Sequence, residues 1–328
     1  MVPSASAEAP PPVIPDDNPQ TPEKVELGRR LFYDVRLSVT GDYSCATCHQ
    51  QSHAFADTRE RSIGATGERH ARNVPSLANV VYRSVLTWFN PTLTRLEEQL
   101  LVPMMGNHPV EMGMGEAQIL AVLKRDANYG RRFAAVFGDG ITITNMARAI
   151  AAFERTLISF NSPWDRYRAG DENAISAEAK RGEALFFSEE TNCFRCHPAP
   201  HFTDTYRAAD LPFAEFGFHD IGLWSDLDRV RAPSLRNVAV TAPYMHDGSS
   251  PTLEDVIQIY ASGGMGPGQN RKTKSAYIKP LSLNDIERRA IIAFLQSLTD
   301  EEFLNDPAHA DPFAQGSSPA DSPGSDRR

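Results

Sequence analysis

The sequence contains few cysteines, no long apolar segment and fewer basic than acidic residues. Its four cysteines all lie in two Cys-x-x-Cys-His motifs, so none remains for a structural disulfide. No apolar run approaches the roughly 20 residues that a membrane-spanning helix needs. The 33 Lys and Arg residues against 42 Asp and Glu residues give a formal net charge of -9, which disfavours nucleic acid or an anionic membrane as a partner. The first residues lack the basic and apolar regions of a signal peptide.

The chain has 328 residues, of which 41% are hydrophobic and 23% are charged, and this is enough for two globular domains. Apolar residues recur at helical spacing in seven segments, and few stretches alternate as strands do. We therefore predict a mostly α fold with long loops. The predicted helices are 21–33, 93–102, 117–125, 144–160, 177–187, 252–260 and 282–298.

One pattern of four elements occurs twice along the chain, in the same order. Each copy has an amphipathic helix, a Cys-x-x-Cys-His motif, a Pro-Ser-Leu segment followed by Asn-Val, and a Leu-Glu pair. These elements lie at 26–34, 45–49, 72–80 and 96–98 in the first copy, and at 180–187, 193–197, 231–238 and 253–255 in the second. Chance could produce one such match but hardly four. We therefore predict two tandem cytochrome c-like haem domains related by internal duplication.

The repeat and the composition of the two ends indicate the domain boundaries. We place the first domain at 21–160, a linker with Pro163 and Gly170 at 161–176, and the second domain at 177–304. Residues 1–20 are rich in Pro and Ala, and residues 305–328 are rich in Pro, Ser, Asp and Gly. Both ends are predicted to be disordered tails.

Each Cys-x-x-Cys-His motif is a strong signal for a covalently bound c-type haem. Two thiols add to the haem vinyl groups, and the adjacent histidine reaches the iron as proximal ligand. A zinc knuckle would need further cysteines, and a thioredoxin-like site needs no following histidine. We predict two haems, and their covalent attachment implies a periplasmic location. The attaching residues are Cys45, Cys48 and His49 for haem 1, and Cys193, Cys196 and His197 for haem 2.

The Leu-Glu pair of each copy is a common reference point from which to count to the residue on the distal side of each haem. Seven residues beyond Leu96 lies Pro103, and seven beyond Leu253 lies Tyr260. Proline has no donor atom, so haem 1 is expected to have an open sixth site. A tyrosine phenolate can ligate ferric iron and lower its reduction potential. An ordinary buried tyrosine is the alternative at 260, and Met265 is the second candidate ligand.

An open haem needs polar neighbours that move protons before it can react with peroxide. Gln99 lies one helical turn before Pro103, and Glu111 follows in a turn-rich segment, so both are candidates. Trp88 could relay electrons between the haems or be a core aromatic residue. His70 could reach haem 1 in some state.

Three further residues are weaker candidates. His246 is expected to be structural or to support a ligand. Trp164 and Trp224 could carry electrons to a partner, although packing in the core is the favoured interpretation of both.

At these residues the chain resembles the di-haem cytochrome c peroxidase and MauG superfamily. The resemblance covers roughly 21–298 and rests on Leu-Gly-Arg-Arg-Leu-Phe at 27–32, Asn-x-Pro-Ser-Leu at 73–77, Pro-Val-Glu-Met-Gly at 109–113 and Thr-Ala-Pro-Tyr-Met-His-Asp-Gly-Ser at 241–249. It implies that haem 1 is the high-spin site that meets hydrogen peroxide and that haem 2 is six-coordinate. It places the distal residues of the family on Gln99, Pro103 and Glu111, and the tryptophan between the haems on Trp88.

The resemblance also implies a calcium ion between the haems. Its ligands would be the Asn73 side chain and the backbone carbonyls of Thr241 and Pro243, together with waters, which suits a hard cation.

The residue at 260 separates two branches of this superfamily, with Met in ordinary cytochrome c peroxidases and Tyr in MauG-like enzymes. The segments 87–93 and 102–113 are most similar to the MbnH branch of methanobactin and copper-handling gene clusters. This similarity implies that both haems store oxidising equivalents as a bis-Fe(IV) state. It also implies that a tryptophan of a periplasmic partner of the MbnP kind is oxidised to kynurenine.

Three functions remain open at this point. The first is peroxide-driven oxidation of a partner protein. The second is reduction of peroxide with electrons from a small redox protein. The third is electron transfer without substrate chemistry, against which an open haem 1 argues.

Overall fold

The computed structural model describes residues 9–206, 217–223, 229–265 and 269–314, and in these the fold is mostly helical, as predicted. The strands β1 (Phe218–His219) and β2 (Val230–Arg231) pair antiparallel, with Phe218 opposite Arg231. In the described part of the chain every helix is too short or too polar to cross a membrane. The helices are α1 (Pro22–Tyr33), α2 (Cys45–Cys48), α3 (Leu96–Gln99), α4 (Leu101–Met105), α5 (Glu116–Arg125), α6 (Ala127–Phe137), α7 (Ile143–Glu154), α8 (Pro163–Arg168), α9 (Ala177–Phe186), α10 (Leu253–Ala261), α11 (Asp285–Gln296) and α12 (Glu301–Asn305).

Local sequence explains where the helices begin. The Thr21 side chain accepts a hydrogen bond from the Lys24 backbone N–H at 3.2 Å, and Pro22 occupies the first helical position, so α1 starts where a Thr-Pro pair favours it. Thr252 caps α10 in the same way through the Asp255 backbone N–H. Ser176 caps α9, the counterpart of α1 in the second copy, through the Ala179 backbone N–H.

Several helices differ from the prediction, among them the short helices α2, α8 and α12, which it omits. The predicted helix 93–102 is two short helices, α3 and α4, which meet at Leu100. The predicted helix 144–160 ends at Glu154. Helix α6 is missing from the prediction, because Gly130 and several polar residues weaken its helical signal although Tyr129 and Phe133 are buried.

Each copy is built on one close helix pair, α1 with α7 in the first and α9 with α11 in the second. Gly28 faces the carbonyl oxygen of Ala149, and Gly182 faces that of Ala290. A Cβ atom on these glycines would lie 1.9 Å and 1.8 Å from those oxygens. The helices approach this closely only because both positions lack a side chain.

Ser159 joins the two copies through equivalent asparagines, which have left-handed backbones at φ 58° (Asn79) and 61° (Asn237). The Ser159 backbone N–H donates to Asn79 Oδ1, and Asn79 Nδ2 donates to the Ser159 carbonyl, both at 2.9 Å. Asn237 Nδ2 donates to Ser159 Oγ at 2.9 Å, and Asn237 Oδ1 accepts from the Asp300 backbone N–H at 2.7 Å. All four residues are buried, so this contact fixes the copies against each other.

Both predicted disordered tails require correction within the described residues. Asn18 is fully buried and donates to Glu97, so part of the 1–20 segment packs on the first domain. Past residue 305, His309 is buried and its carbonyl accepts from Tyr33 Oη at 2.7 Å. Phe303, just before this segment, is buried in the hydrophobic core of the first domain. Composition predicted disorder because the average over a segment does not reveal single side chains that anchor it to a core.

The predicted linker 161–176 is also more ordered than expected. It contains α8, and Trp164 is fully buried in the second core, where its ring packs on Phe202 at 4.9 Å between centroids. The Trp164 indole donates to Glu183 at 2.8 Å. This placement makes Trp164 a structural residue of the second domain and leaves it no exposed surface for electron exit.

Gly28→Ala and Gly182→Ala should each lower the midpoint of thermal unfolding. A methyl group forced into a packed contact typically costs about 1–3 kcal/mol. Gly130→Ala is the matched control, because this helical glycine has no atom within 4 Å of a built Cβ. The control should be neutral or stabilising by about 0.4–1 kcal/mol. Calorimetry of the three variants tests this expectation. Equal midpoints for all three would contradict the close contact between each glycine and the facing helix.

Candidate active site

Each Cys-x-x-Cys-His motif borders a large cavity. Cavity 1 holds Cys45, Cys48 and His49 and comprises about 1600 Å³ including its open mouth. Cavity 2 is the corresponding space in the second copy and comprises about 1230 Å³. Its motif residues are Cys193, Cys196 and His197.

The histidine of each motif is held ready to ligate a metal. His49 Nδ1 lies 2.8 Å from the Phe55 carbonyl oxygen, and His197 Nδ1 lies 3.0 Å from the Phe202 carbonyl oxygen. A carbonyl can only accept, so Nδ1 carries the proton and Nε2 is left as a donor atom for iron. Burial lowers the pKa of both histidines, which keeps them neutral as a ligand must be.

Unpaired buried cations complete the fit to haem. Arg231 in cavity 2 is fully buried, and its Nη1 and Nη2 have no partner in the described part of the chain. Arg83 in cavity 1 likewise leaves Nε and Nη1 without a partner there. Buried charges require a counter-charge, and the carboxylates of a haem propionate supply one. The residues present therefore fit two haems.

The predicted distal residues come together in cavity 1. Gln99, Pro103 and Glu111 all line it. The segment between Pro103 and Glu111 folds back, because the Met112 backbone N–H donates to the Pro103 carbonyl at 3.0 Å. Glu111 Oε1 lies 3.0 Å from Nε2 of His70, which also lines the cavity. The histidine that could have approached the iron instead contacts the candidate proton-transfer carboxylate.

Tyr260 lines cavity 2 from helix α10, and burial raises the pKa of its phenol. The phenol is therefore neutral until a strong Lewis acid displaces its proton. Met265 is not among the residues that line cavity 2, and its backbone N–H donates to the Gly222 carbonyl at 2.8 Å. Met245 and His246 do line it, and both His246 ring nitrogens are unpaired within the described residues.

Trp88 lines both cavities. Its indole donates to the Asn73 carbonyl at 2.8 Å, and its own carbonyl accepts from the Arg231 backbone N–H at 3.0 Å. The Arg231 guanidinium carbon lies 5.4 Å from the centroid of the Trp88 ring. The other predicted exit residue, Trp224, lies outside the described residues.

The expected calcium ligands belong to adjoining loops. The Asn73 backbone N–H donates to the His246 carbonyl at 2.9 Å, which joins the loop of Asn73 to the loop that follows Pro243. The Asn73 amide nitrogen donates to the carbonyls of Arg59 and Glu60 at 3.3 Å and 3.2 Å. Its side-chain oxygen is therefore the atom that could face a cation, and Thr241 ends the short turn just before Pro243.

An acidic residue that the predicted site did not include lies beside each motif. Asp57 Oδ2 forms an ion pair with Arg59 Nη2 at 2.6 Å, and Arg59 Nη2 lies 3.7 Å from Cys48 Sγ. In the second copy Asp204 Oδ2 lies 2.5 Å from His219 Nε2, and both group with Cys196. A repeated Phe-x-Asp-Thr, at 55–58 and 202–205, was the available signal.

The two family models that match the chain divide it at the predicted duplication. One is described as di-haem cytochrome c peroxidase and matches residues 22–173, and the other is cytochrome c and matches residues 179–299. The methylamine utilization protein MauG of Methylophilus methylotrophus is 38% identical over 301 residues, which cover 87% of this chain and 84% of that protein. A cytochrome-c peroxidase of Pseudomonas sp. strain SCT is 34% identical over 349 residues, covering 94% and 89%.

Solved structures agree with these matches. A MauG-like protein associated with microbial copper homeostasis superposes with a TM-score of 0.88 at 41% identity, covering 93% of this chain and 97% of that one. The diheme peroxidase BthA from Burkholderia thailandensis superposes with a TM-score of 0.71 at 21% identity, covering 89% and 90%, and shows the fold alone.

The His219–Asp204 pair predicts a pH-dependent contribution to stability. Burial opposes the charged imidazolium, but Asp204 and Cys196 outweigh it and raise the pKa of His219 to about 10. A thioether at Cys196 would leave Asp204 as the remaining cause. The unfolded value is about 6.5, so the contribution is complete below about pH 6.5 and is lost as the pH rises through the raised pKa of His219 in the folded protein.

Asp204→Asn should therefore lower the thermal midpoint most near pH 6.5 and least near pH 10. His219→Gln is the companion variant, since it removes the same pair from the other side. Thermal unfolding of both variants and the parent across this range tests the pair. A destabilisation that is constant with pH would contradict it.

Proposed function

Because the chain belongs to the di-haem cytochrome c peroxidase and MauG family, and is thus a haem-dependent oxidoreductase, we propose that it uses hydrogen peroxide to oxidise a residue of a partner protein. The observation that carries this proposal is the difference between the two cavities. Pro103 lines the first and offers no ligand, whereas Tyr260 lines the second and offers a phenolate. One site is thereby open to peroxide and the other is closed.

The haems, when bound, supply the irons that react with peroxide and hold its oxidising equivalents. Thioether bonds would attach them at the four motif cysteines. His49 and His197 would present Nε2 to the irons from the proximal sides. Tyr260 would close the second site, and its anionic oxygen favours the more oxidised iron. Arg83 and Arg231 would meet propionates.

Within cavity 1 the protein's task is to move one proton. Peroxide loses a proton from one oxygen and gains one on the other as the O–O bond breaks. The Glu111 carboxylate can accept the first proton at Oε1 or Oε2 and return it to the departing oxygen. The His70 contact holds Oε1 in place, and Gln99 can orient the peroxide from the same wall of the cavity.

The partner protein must be oxidised without entering cavity 1. A folded protein cannot enter a cavity that haem 1 fills, so electrons from the partner have to cross the protein. Trp88 is the candidate bridge because it lines both cavities. The stacked Arg231 charge disfavours a lasting cation on the indole ring. Trp88 is therefore suited to passing electrons and not to storing the oxidation.

The likeness to a protein associated with copper homeostasis supports a partner of the MbnP kind with a tryptophan as the oxidised residue. Covalent haem attachment supports a periplasmic location. A calcium ion held by Asn73, Thr241 and Pro243 would stabilise the loops between the cavities.

The Tyr260→Phe variant tests the proposed difference between an open site in cavity 1 and a closed site in cavity 2. Haem content, measured as the pyridine haemochrome, should stay at two per chain, because the motif residues are untouched. Rapid mixing of the parent diferric protein with peroxide should give a long-lived optical change without prior reduction, and the variant should lose it. A parent that reacts only after half-reduction would indicate an ordinary cytochrome c peroxidase. An unchanged variant spectrum would exclude Tyr260 as ligand, with Met245 and Met265 next to examine.

Glu111→Gln and Trp88→Phe should fail at different steps. The first removes the proton carrier, so formation of the peroxide-induced spectrum should slow by about 10²-fold or more. The second should leave formation of the peroxide-induced spectrum nearly intact. It should slow the decay of that spectrum to the resting one when the partner is added. Stopped-flow absorption of each variant separates the steps. Normal formation and normal decay in Trp88→Phe would return this residue to a packing role.

A further inference from the structure

The two copies differ at one buried position that faces the cavities. Ala149 and Ala290 oppose the equivalent glycines, and five residues later on the same helices lie Glu154 and Leu295. Glu154 lines cavity 1, and Leu295 lines cavity 2. A carboxylic acid thus stands in cavity 1 where the duplicated scaffold has an alkyl side chain in cavity 2.

Glu154 is only 6% exposed, and its Oε2 has no hydrogen-bond partner in the described part of the chain. The charged groups that face it are Arg83, Arg155 and Glu97. Arg155 is already bonded to Glu97 Oε1 at 2.7 Å, and Arg83 donates through Nη2 to the carbonyls of Ser76 and Ala78. None of these groups forms a hydrogen bond to Glu154 Oε2, so this oxygen is buried without a partner in the described part of the chain.

Arg83 also lines a second space, which we call the outer cavity. It comprises about 1110 Å³ including its open mouth, and its other charged residues are Asp16, Asp17, Arg95, Glu97 and Arg155. Arg83 therefore lies at the boundary between cavity 1 and a polar space open to solvent. Arg83, which faces Glu154, thus joins cavity 1 to a solvent-open space that Glu111 does not line.

We propose that Glu154 is a second proton-binding residue of cavity 1, which exchanges its proton with solvent through the outer cavity and couples the reduction potential of haem 1 to pH. The reaction is the binding of one proton to a carboxylate oxygen, and the residue itself is neither oxidised nor reduced. An electron added to haem 1 favours the bound proton, and an electron removed favours its release. The inference rests on haem occupancy of cavity 1 from the proposed function.

Burial supports this assignment, since it outweighs the nearby Arg155 and raises the pKa of Glu154 to about 8. The group is then neutral below that pH and negative above it. A negative charge beside haem 1 disfavours the added electron. The potential of haem 1 should accordingly fall as the pH rises through this range, by up to about 59 mV for each tenfold fall in proton concentration.

The test is a spectroelectrochemical titration of both haems in the full-length holoprotein between about pH 6 and about pH 10. Glu154→Gln should lose the fall in the haem 1 potential around pH 8, and Glu154→Leu, which copies the second domain, should lose it too. The haem 2 potential is the internal control and should keep its own profile in both variants. Glu111→Gln should retain the component that belongs to Glu154.

The outcomes separate this inference from the proposed function. Absence of haem from cavity 1 in the parent protein would defeat the proposed function itself. A haem 1 potential that does not vary with pH in the parent would overturn the role of Glu154, without any variant being needed. A pH dependence that persists unchanged in Glu154→Gln or Glu154→Leu would overturn it as well. An infrared C=O band of a protonated carboxyl, lost above about pH 8 in the parent and absent in Glu154→Gln, would support it.

Discussion

The contact of Ser159 with Asn79 and Asn237 determines how the two halves of this protein work together. Equivalent asparagines of the two copies bond to one buried serine, so each half is held in a defined position relative to the other. The same relation is supported near the cavities, where the Arg231 backbone N–H donates to the Trp88 carbonyl and the Asn73 backbone N–H donates to the His246 carbonyl. A flexible linker between two cytochrome domains would separate the cavities and leave no common wall.

Duplication supplies the scaffold, and substitutions at inward-facing positions supply the chemistry. The glycine contacts and the histidine-to-carbonyl bonds occur in both halves with nearly the same geometry. The cavities differ where side chains point inward, with Pro103 against Tyr260 and Glu154 against Leu295. In the proposed function, the first pair separates a site that admits peroxide from a site that Tyr260 closes. Such a division of labour needs no new fold, only different residues at positions that already face the cofactor.

The sequence was most informative where function depends on spacing. The Cys-x-x-Cys-His motifs and the Thr21 cap are local patterns, and counting from the Leu-Glu pairs placed Pro103 and Tyr260 in opposite cavities. Contacts made by distant loops were not visible in the same way. His70 and Glu111 lie 41 residues apart, and their pairing depends on how 106–112 folds back. The acid at 154 resembles any polar residue of an amphipathic helix until the helix pairing shows that it faces inward.

The segment that follows the second domain has a consequence for how the chain is made. Phe303 and Leu304 belong to the core of the first domain, and Tyr33 bonds to His309, which is 276 residues later in the chain. The N-terminal copy therefore cannot finish its core during synthesis until nearly the whole polypeptide has emerged. The core of the first copy thus closes only after the second copy has been made, which is opposite to the order of the two copies in the sequence.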